Sequence, residues 1–149
     1  MVAANSDKEA LVWRGESFNY RSLEESWRLS KGRLESAGLG NRAVVVLEAD
    51  FSPAAVTALL ALIELGCVVV PLVRSTRVDR QRIYRIAQAN HRLHITENEA
   101  WDLAPLPGAP SHQHYAALAE RGHPGLVLFS SGTSGEPKAA VHDVVPLLG

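Results

Sequence analysis

Two apolar runs, AVVVL at Ala43 to Leu47 and CVVVPL at Cys67 to Leu72, bracket a segment that opens with Ser52-Pro53 and closes at Gly66. An apolar run without polar alternation is the pattern of a strand covered on both faces, as in a parallel sheet. Ser52 offers an N-cap and Pro53 a first helical residue, so the spacing predicts a helix to Leu65. Strand, helix and strand in that order make a βαβ unit, whose crossover is expected to be right-handed. The chain is thereby committed to an α/β fold of βαβ units, a mostly parallel sheet flanked by helices. The stretch from Ala54 to Val73 is also long enough to cross a bilayer, with Glu64 as its only charge. Gly66 and Pro71 punctuate it, and its Ala/Leu-rich half differs from its Val-rich half, so it reads as helix then buried strand and not as a membrane span.

Other elements follow from local patterns. Ala10 to Trp13 and Ser17 to Tyr20 are β-prone runs around Arg14, Gly15 and Glu16, which predicts a hairpin. Ser22 with Glu25 has capping-box spacing, and Leu23, Trp27 and Leu34 then share one helical face until Gly38. Thr76 and Asp79 repeat the capping pattern before a helix to about Asn90, with Val78, Ile83, Ile86 and Ala87 inward. Leu93 to Thr96 reads as a short strand. Pro105, Pro107, Gly108 and Pro110 argue for loop from Glu97 to Pro110. A short helix around His114 to Glu120 should end at Gly122 and Pro124, and a further helix should begin near Val144 and be cut off at its start.

Composition narrows the function classes. At 149 residues the chain is one domain or part of one, and a net charge of -1 gives no general attraction to nucleic acid or to anionic membrane. Cys67 is the only cysteine, which excludes an intrachain disulfide and suits a reducing, cytoplasmic setting. The polar start MVAANSDKEA carries no signal or lipidation pattern. Cys67 sits inside an apolar strand with no base nearby in sequence, so it reads as core and not as a nucleophile. His91 with His94, and His112 with His114, have no neighbouring cysteines or acids to complete a metal site, so no metal ligand is assigned. Arg74, Arg77, Arg80, Arg82 and Arg85 could meet phosphates but read first as a solvated helix face.

The chemistry is concentrated in LVLFSSGTSGEPKAAVH, Leu126 to His142. Leu126 to Phe129 reads as a buried strand that turns to loop at Ser130. Gly132 and Gly135 let backbone N–H groups converge on an anion, and Ser130, Ser131, Thr133 and Ser134 add hydroxyl donors. Lys138 adds a mobile point charge, and Pro137 stiffens the exit before Ala139 to His142 resume a strand. This is not the Walker arrangement, in which Lys follows Gly directly and opens a helix.

Strand, hydroxyl-rich glycine loop, Pro-Lys and strand resemble the signature loop of the adenylate-forming enzymes, the superfamily of acyl-CoA synthetases, peptide-synthetase adenylation domains and firefly luciferases. Phe129 to Lys138, ten residues of which the pattern leaves Glu136 open, meets it at every defined position, and the departure is at Ala139, where the family usually has glycine. Tyr20 with Leu23, and Gly66 to Leu72, resemble earlier family segments in the same order. The resemblance covers nearly the whole chain.

It implies that residues 1–149 are the N-terminal part of an AMP-binding domain, with the remaining large domain and the C-terminal domain absent. The implied activity is that of an ATP-dependent, AMP-forming ligase of the acyl-CoA synthetase class. Such an enzyme activates a carboxylic acid as acyl-adenylate and passes it to the thiol of coenzyme A or of a carrier protein. These 149 residues alone are expected to be inactive. Ser130, Ser131, Gly132, Thr133, Ser134, Gly135 and Lys138 would contact the β- and γ-phosphates of ATP, and His142 would stand near the ligand beside the acyl pocket. Mg²⁺ is implied with its ligands outside this chain, and no catalytic acid or base is assigned. The residues also leave open a standalone nonenzymatic module that binds a nucleotide or a partner, and sheet edges exposed by truncation are expected to favour self-association.

Overall fold

The structure is a computed structural model that describes residues 5–75, 77–131 and 137–149, without the side chain of Ser131. In chain order the elements are β1 (Glu9–Trp13), β2 (Glu16–Asn19), α1 (Tyr20–Ser36), β3 (Val44–Glu48), α2 (Pro53–Glu64), β4 (Val68–Leu72) and α3 (Arg80–Ala87). They continue as β5 (His91–Ile95), β6 (Trp101–Pro105), α4 (Gln113–Arg121), β7 (Gly125–Ser131), β8 (Pro137–Asp143) and α5 (Val144–Leu148).

The apolar runs become the middle of the sheet. Val44 to Glu48 lies parallel to Val68 to Leu72, and β5 joins β3 in parallel on the other side. β7 adds to β4 in parallel, and antiparallel β6 and β8 form the two edges, giving the order β6-β5-β3-β4-β7-β8. The expected helix between β3 and β4 is present, with Ser52 Oγ accepting from Ala55 N at 3.1 Å and Pro53 opening the helix. Gly66 takes φ +76 just beyond its end, a conformation that side chains rarely adopt.

Alternation along β3 sorts the core into two layers. Val45 and Leu47 pack with Cys67, Val69, Leu34 of α1 and Ala58, Ala61 and Leu62 of α2. Val44 and Val46 pack on the opposite face with Ile83, Tyr84 and Ala87 of α3 and Tyr115 and Leu118 of α4. Helices therefore cover both faces of the central strands, which is why those strands carry apolar residues at successive positions. β1 and β2 form the expected hairpin as a separate two-stranded sheet.

Four local expectations are corrected. The cap of α1 is Asn19, whose side chain accepts from Ser22 N at 2.9 Å, so the helix begins at Tyr20, ahead of the Ser22–Glu25 pair. α3 is capped by Asp79, which accepts from Arg82 N, and Thr76 lies outside the described residues. Tyr84 takes the inward place expected of Val78 and Ile86, which are 40% and 39% exposed. The stretch assigned to loop contains β6: Trp101 to Pro105 pairs with β5, and proline is admitted because it ends an edge strand.

Candidate functional site

The strand–loop–strand unit is an antiparallel ribbon. Its pairs run from Gly125 with Asp143 to Ser131 with Pro137, so β7 extends two residues beyond the expected break at Ser130. Because β7 runs parallel to β4, its last residue, Ser131, and the first residue of β8, Pro137, stand toward the carboxyl end of the parallel strands, the end at which open α/β sheets carry ligands. Gly132, Thr133, Ser134 and Gly135, all expected to contact phosphate, lie outside the described residues, as does Glu136.

The register decides which of the remaining candidates stand together. Directly paired residues share a face, so Ser130 and Lys138 sit side by side at the loop end of the ribbon. Both are exposed, and Lys138 makes no ion pair among the described residues. That combination suits a point charge and a hydroxyl reserved for an anionic group from outside. His142 pairs with Leu126 on the same face, four residues along β8 from Lys138, or about 14 Å at the rise of an extended strand. It stands that far from the loop end of the ribbon, a separation set by the register of β7 with β8.

The ribbon's other end is anchored by Asp143. Its carboxylate accepts from His123 Nδ1 at 2.8 Å and from Val145 N at 3.0 Å, with Arg121 at 3.6 Å. The hydrogen bond from His123 is the largest cause holding this carboxyl below its ordinary range. The same bonds cap α5 and tie it to the segment leaving α4.

A second group at the carboxyl end went unread in the sequence. Glu48, 1% exposed, ends β3 on the α3 face and meets Tyr84 Oη, Arg80 Nη1 at 3.3 Å and His94 Nδ1 at 3.2 Å. The available signal was an acid closing an apolar strand, followed downstream by Arg and Tyr four residues apart, which share one helical face. Arg80 is thus half-buried against a buried carboxylate, and Arg74 lies 3.8 Å from both Asp50 and Glu97, so the basic run is not simply a solvated face.

The remaining candidates fall away from the ribbon. Cys67 is fully buried, and burial pushes its thiol up to about 12, the opposite of an activated nucleophile. Burial lowers the pKa of His91, which meets Asn90 Oδ1 at 2.9 Å. His112 stacks near His114 with ring centroids 4.9 Å apart. A cavity of about 400 Å³ opens at the amino ends of β3 and β4, lined by Arg42, Val44, Val68, His112, Tyr115 and Glu120, at the opposite end of the sheet from the loop. Among the described residues no group of three or more His, Cys, Asp or Glu could hold a metal, and no helix is long and apolar enough to cross a membrane.

Comparison with known proteins matches the family described as AMP-binding enzyme over residues 1–146. Surfactin synthase subunit 3 of Bacillus subtilis (strain 168) is 26% identical over 155 residues, a match covering 94% of this chain and 12% of that protein. Nonribosomal peptide synthetase 32 of Fusarium pseudograminearum (strain CS3096) is 31% identical over 150 residues, covering 87% of this chain and 2% of that one. The N-terminal subdomain of Klebsiella oxytoca NpsA, solved in complex with 3-hydroxyanthranilyl-AMSN, superposes with a TM-score of 0.71 at 21% identity, over 95% of this chain and 38% of that one. The chain therefore spans a small part of the curated relatives and well under half of this structural neighbour.

Proposed function

This chain belongs to the AMP-binding enzyme family, and on that premise we propose that residues 1–149 are the N-terminal part of an adenylation domain. The complete protein would activate a carboxylic acid with ATP as an acyl-adenylate and pass the acyl group to a thiol. The observation that carries the reading is the pairing of Ser130 with Lys138 toward the carboxyl end of the parallel strands. ATP supplies the leaving diphosphate in this chemistry. Lys138 and Ser130, with Ser131, Gly132, Thr133, Ser134 and Gly135 between them, would hold its β- and γ-phosphates. Their part is to place the triphosphate and to meet the charge that grows as the diphosphate departs. Lys138 is suited to this by being exposed and without an ion pair among the described residues.

His142 is proposed at the acyl end and not at the phosphates. The shared ribbon face supports this, because it runs from Lys138 past Ala140 and Leu128 to His142 over about 14 Å, a length suited to an extended ligand. No group among the described residues fits Mg²⁺, so no ligand is assigned to it and no step is routed through it. The acceptor proposed is a carrier-protein thiol ahead of coenzyme A, supported by the naming of Nonribosomal peptide synthetase 32 among the relatives. The acyl-CoA synthetase class is the second form of the same acid–thiol ligase.

ATP–pyrophosphate exchange by the complete protein tests the reading. Loss of a charge-assisted hydrogen bond is worth about 1.5–3 kcal/mol, so Lys138→Ala should slow exchange by about tenfold or more. Ser131→Ala should slow it as well, and unchanged exchange in both variants would overturn the loop assignment. Tight ATP binding by these 149 residues alone would favour the nonenzymatic module instead.

A further inference from the structure

Among the described residues β7 pairs with β4 at two positions, Val68 with Gly125 and Val69 with Leu126, and Gly125 N donates to the carbonyl of Cys67 just ahead of β4. Beyond Leu126 the ribbon runs on to Ser131 with β8 as its partner, and no further β4 pairing accompanies it among the described residues. Side-chain packing must therefore hold the half of the ribbon nearest the loop. That packing is on one face: Val127 is fully buried in the α3 layer, and Phe129, Val141 and Leu72 pack against the same layer. On the other face Leu128 is 44% exposed. α3 also lies directly against β8. The position of α3 thus decides where the loop-bearing half of the ribbon rests.

α3 is in turn fixed by a buried carboxylate. Glu48 Oε1 accepts from Tyr84 Oη, and Oε2 accepts from Arg80 Nη1 and His94 Nδ1. Two of the three donors are on α3, four residues apart and on one face. Arg80 Nη2 also donates to the carbonyl of Arg74 at 2.7 Å, which ties the exit of β4 to the same helix. Glu48 is removed from water while Arg80 keeps about a third of its side chain exposed, so desolvation offsets much of what their attraction returns. What directional bonds add over apolar packing is a single rotational and axial setting of the helix against the strand.

We propose that Glu48 is a positioning residue for Ser130 and Lys138: it pins α3 to β3, and α3 is the bed that fixes the ribbon carrying them. Its consequence for ATP rests on the reading of those two residues given above, whereas the mechanical coupling does not.

Hydrogen exchange resolved by residue on the 149-residue chain tests the coupling, comparing the wild type with Glu48→Gln, Tyr84→Phe and Leu62→Ala. Leu62 is fully buried in the opposite layer, so its variant reports general loss of stability. The quantity read is exchange of ribbon amides, Leu128 to Ser130 and Ala139 to Val141, relative to the amides of Val45 and Val46 in β3, the strand that both layers share. Glu48→Gln should raise that ratio by about tenfold, Tyr84→Phe by less, and Leu62→Ala should leave it unchanged. Tyr84→Phe keeps its ring in the core and loses only the bond to Glu48, so it decides the question should Glu48→Gln fail to fold. A ratio that moves no more in the Glu48 and Tyr84 variants than in Leu62→Ala overturns the proposal. In the complete protein Glu48→Gln should also raise KM for ATP. A ribbon that loosens while KM stays fixed would leave the coupling standing and count against the phosphate reading.

Discussion

Cys67 makes stability at alkaline pH a quantitative test of the core. Its side chain is fully buried between β4 and the α1–α2 layer, with Sγ 3.4 Å from the carbonyl of Gly40. Burial raises the thiol from its ordinary 9.0 to about 12, so the folded chain keeps a proton that the unfolded chain releases. The associated stabilisation is complete below the unfolded value and is lost as pH rises toward the folded one. At about 1.4 kcal/mol per pH unit the full loss is about 4 kcal/mol, of which about 2 should be gone by about pH 10.5. Urea titrations near pH 8 and about pH 10.5 read this directly. Cys67→Ala lowers stability at every pH through the cavity it leaves, but its loss between the two conditions should be smaller than the wild type's by about 2 kcal/mol. Tyr115, raised from 10.0 to about 12 by burial, leaves a residual alkaline slope in both proteins. Parallel profiles would show that the thiolate is not excluded by the fold and would refute the placement of Cys67 in the core.

Two further perturbations probe the ribbon's anchor and one loop. Asp143 has a folded pKa below its ordinary 3.8, so its contribution is present above that value and is lost as pH falls through the folded one; Asp143→Asn should flatten the acid limb of a urea-midpoint profile measured from pH 6 downward. At Gly108 an added Cβ would fall inside the carbonyl of Ala89, so Gly108→Ala should destabilise by about 1–3 kcal/mol in the same titration. Gly40→Ala, with nothing within 4 Å, should change little and serves as its control.

What the sequence disclosed and what it concealed follow the range of the forces involved. β3, α2 and β4 were legible because burial on both faces leaves continuous apolar runs, and because Ser52, Pro53 and Gly66 mark the helix ends by local backbone chemistry. β6 was concealed because an edge strand needs no apolar run, and Pro105 can end it without losing a ladder bond. The α1 cap fell to Asn19 since an earlier side chain was already placed to accept from Ser22 N, and a capping box at Ser22 had no orphan donor left to satisfy. Val78 and Ile86 follow helical spacing, yet the layer beneath α3 selects Ile83, Tyr84 and Ala87. Glu48 needed knowledge of which strand and which helix meet, information that is absent from any local window. The strand–loop–strand order around Lys138 was readable from Pro137 and the flanking apolar residues. The distance of His142 from the loop was not, because it depends on the register of β7 with β8.

A crystal structure of the complete protein with ATP bound would test the central claim most directly. The account predicts Lys138 Nζ and the hydroxyl of Ser130 within about 3 Å of β- or γ-phosphate oxygens, with His142 farther along the same ribbon face, on the α-phosphate side. A triphosphate bound with the tip of the β7–β8 ribbon more than about 10 Å away would contradict it.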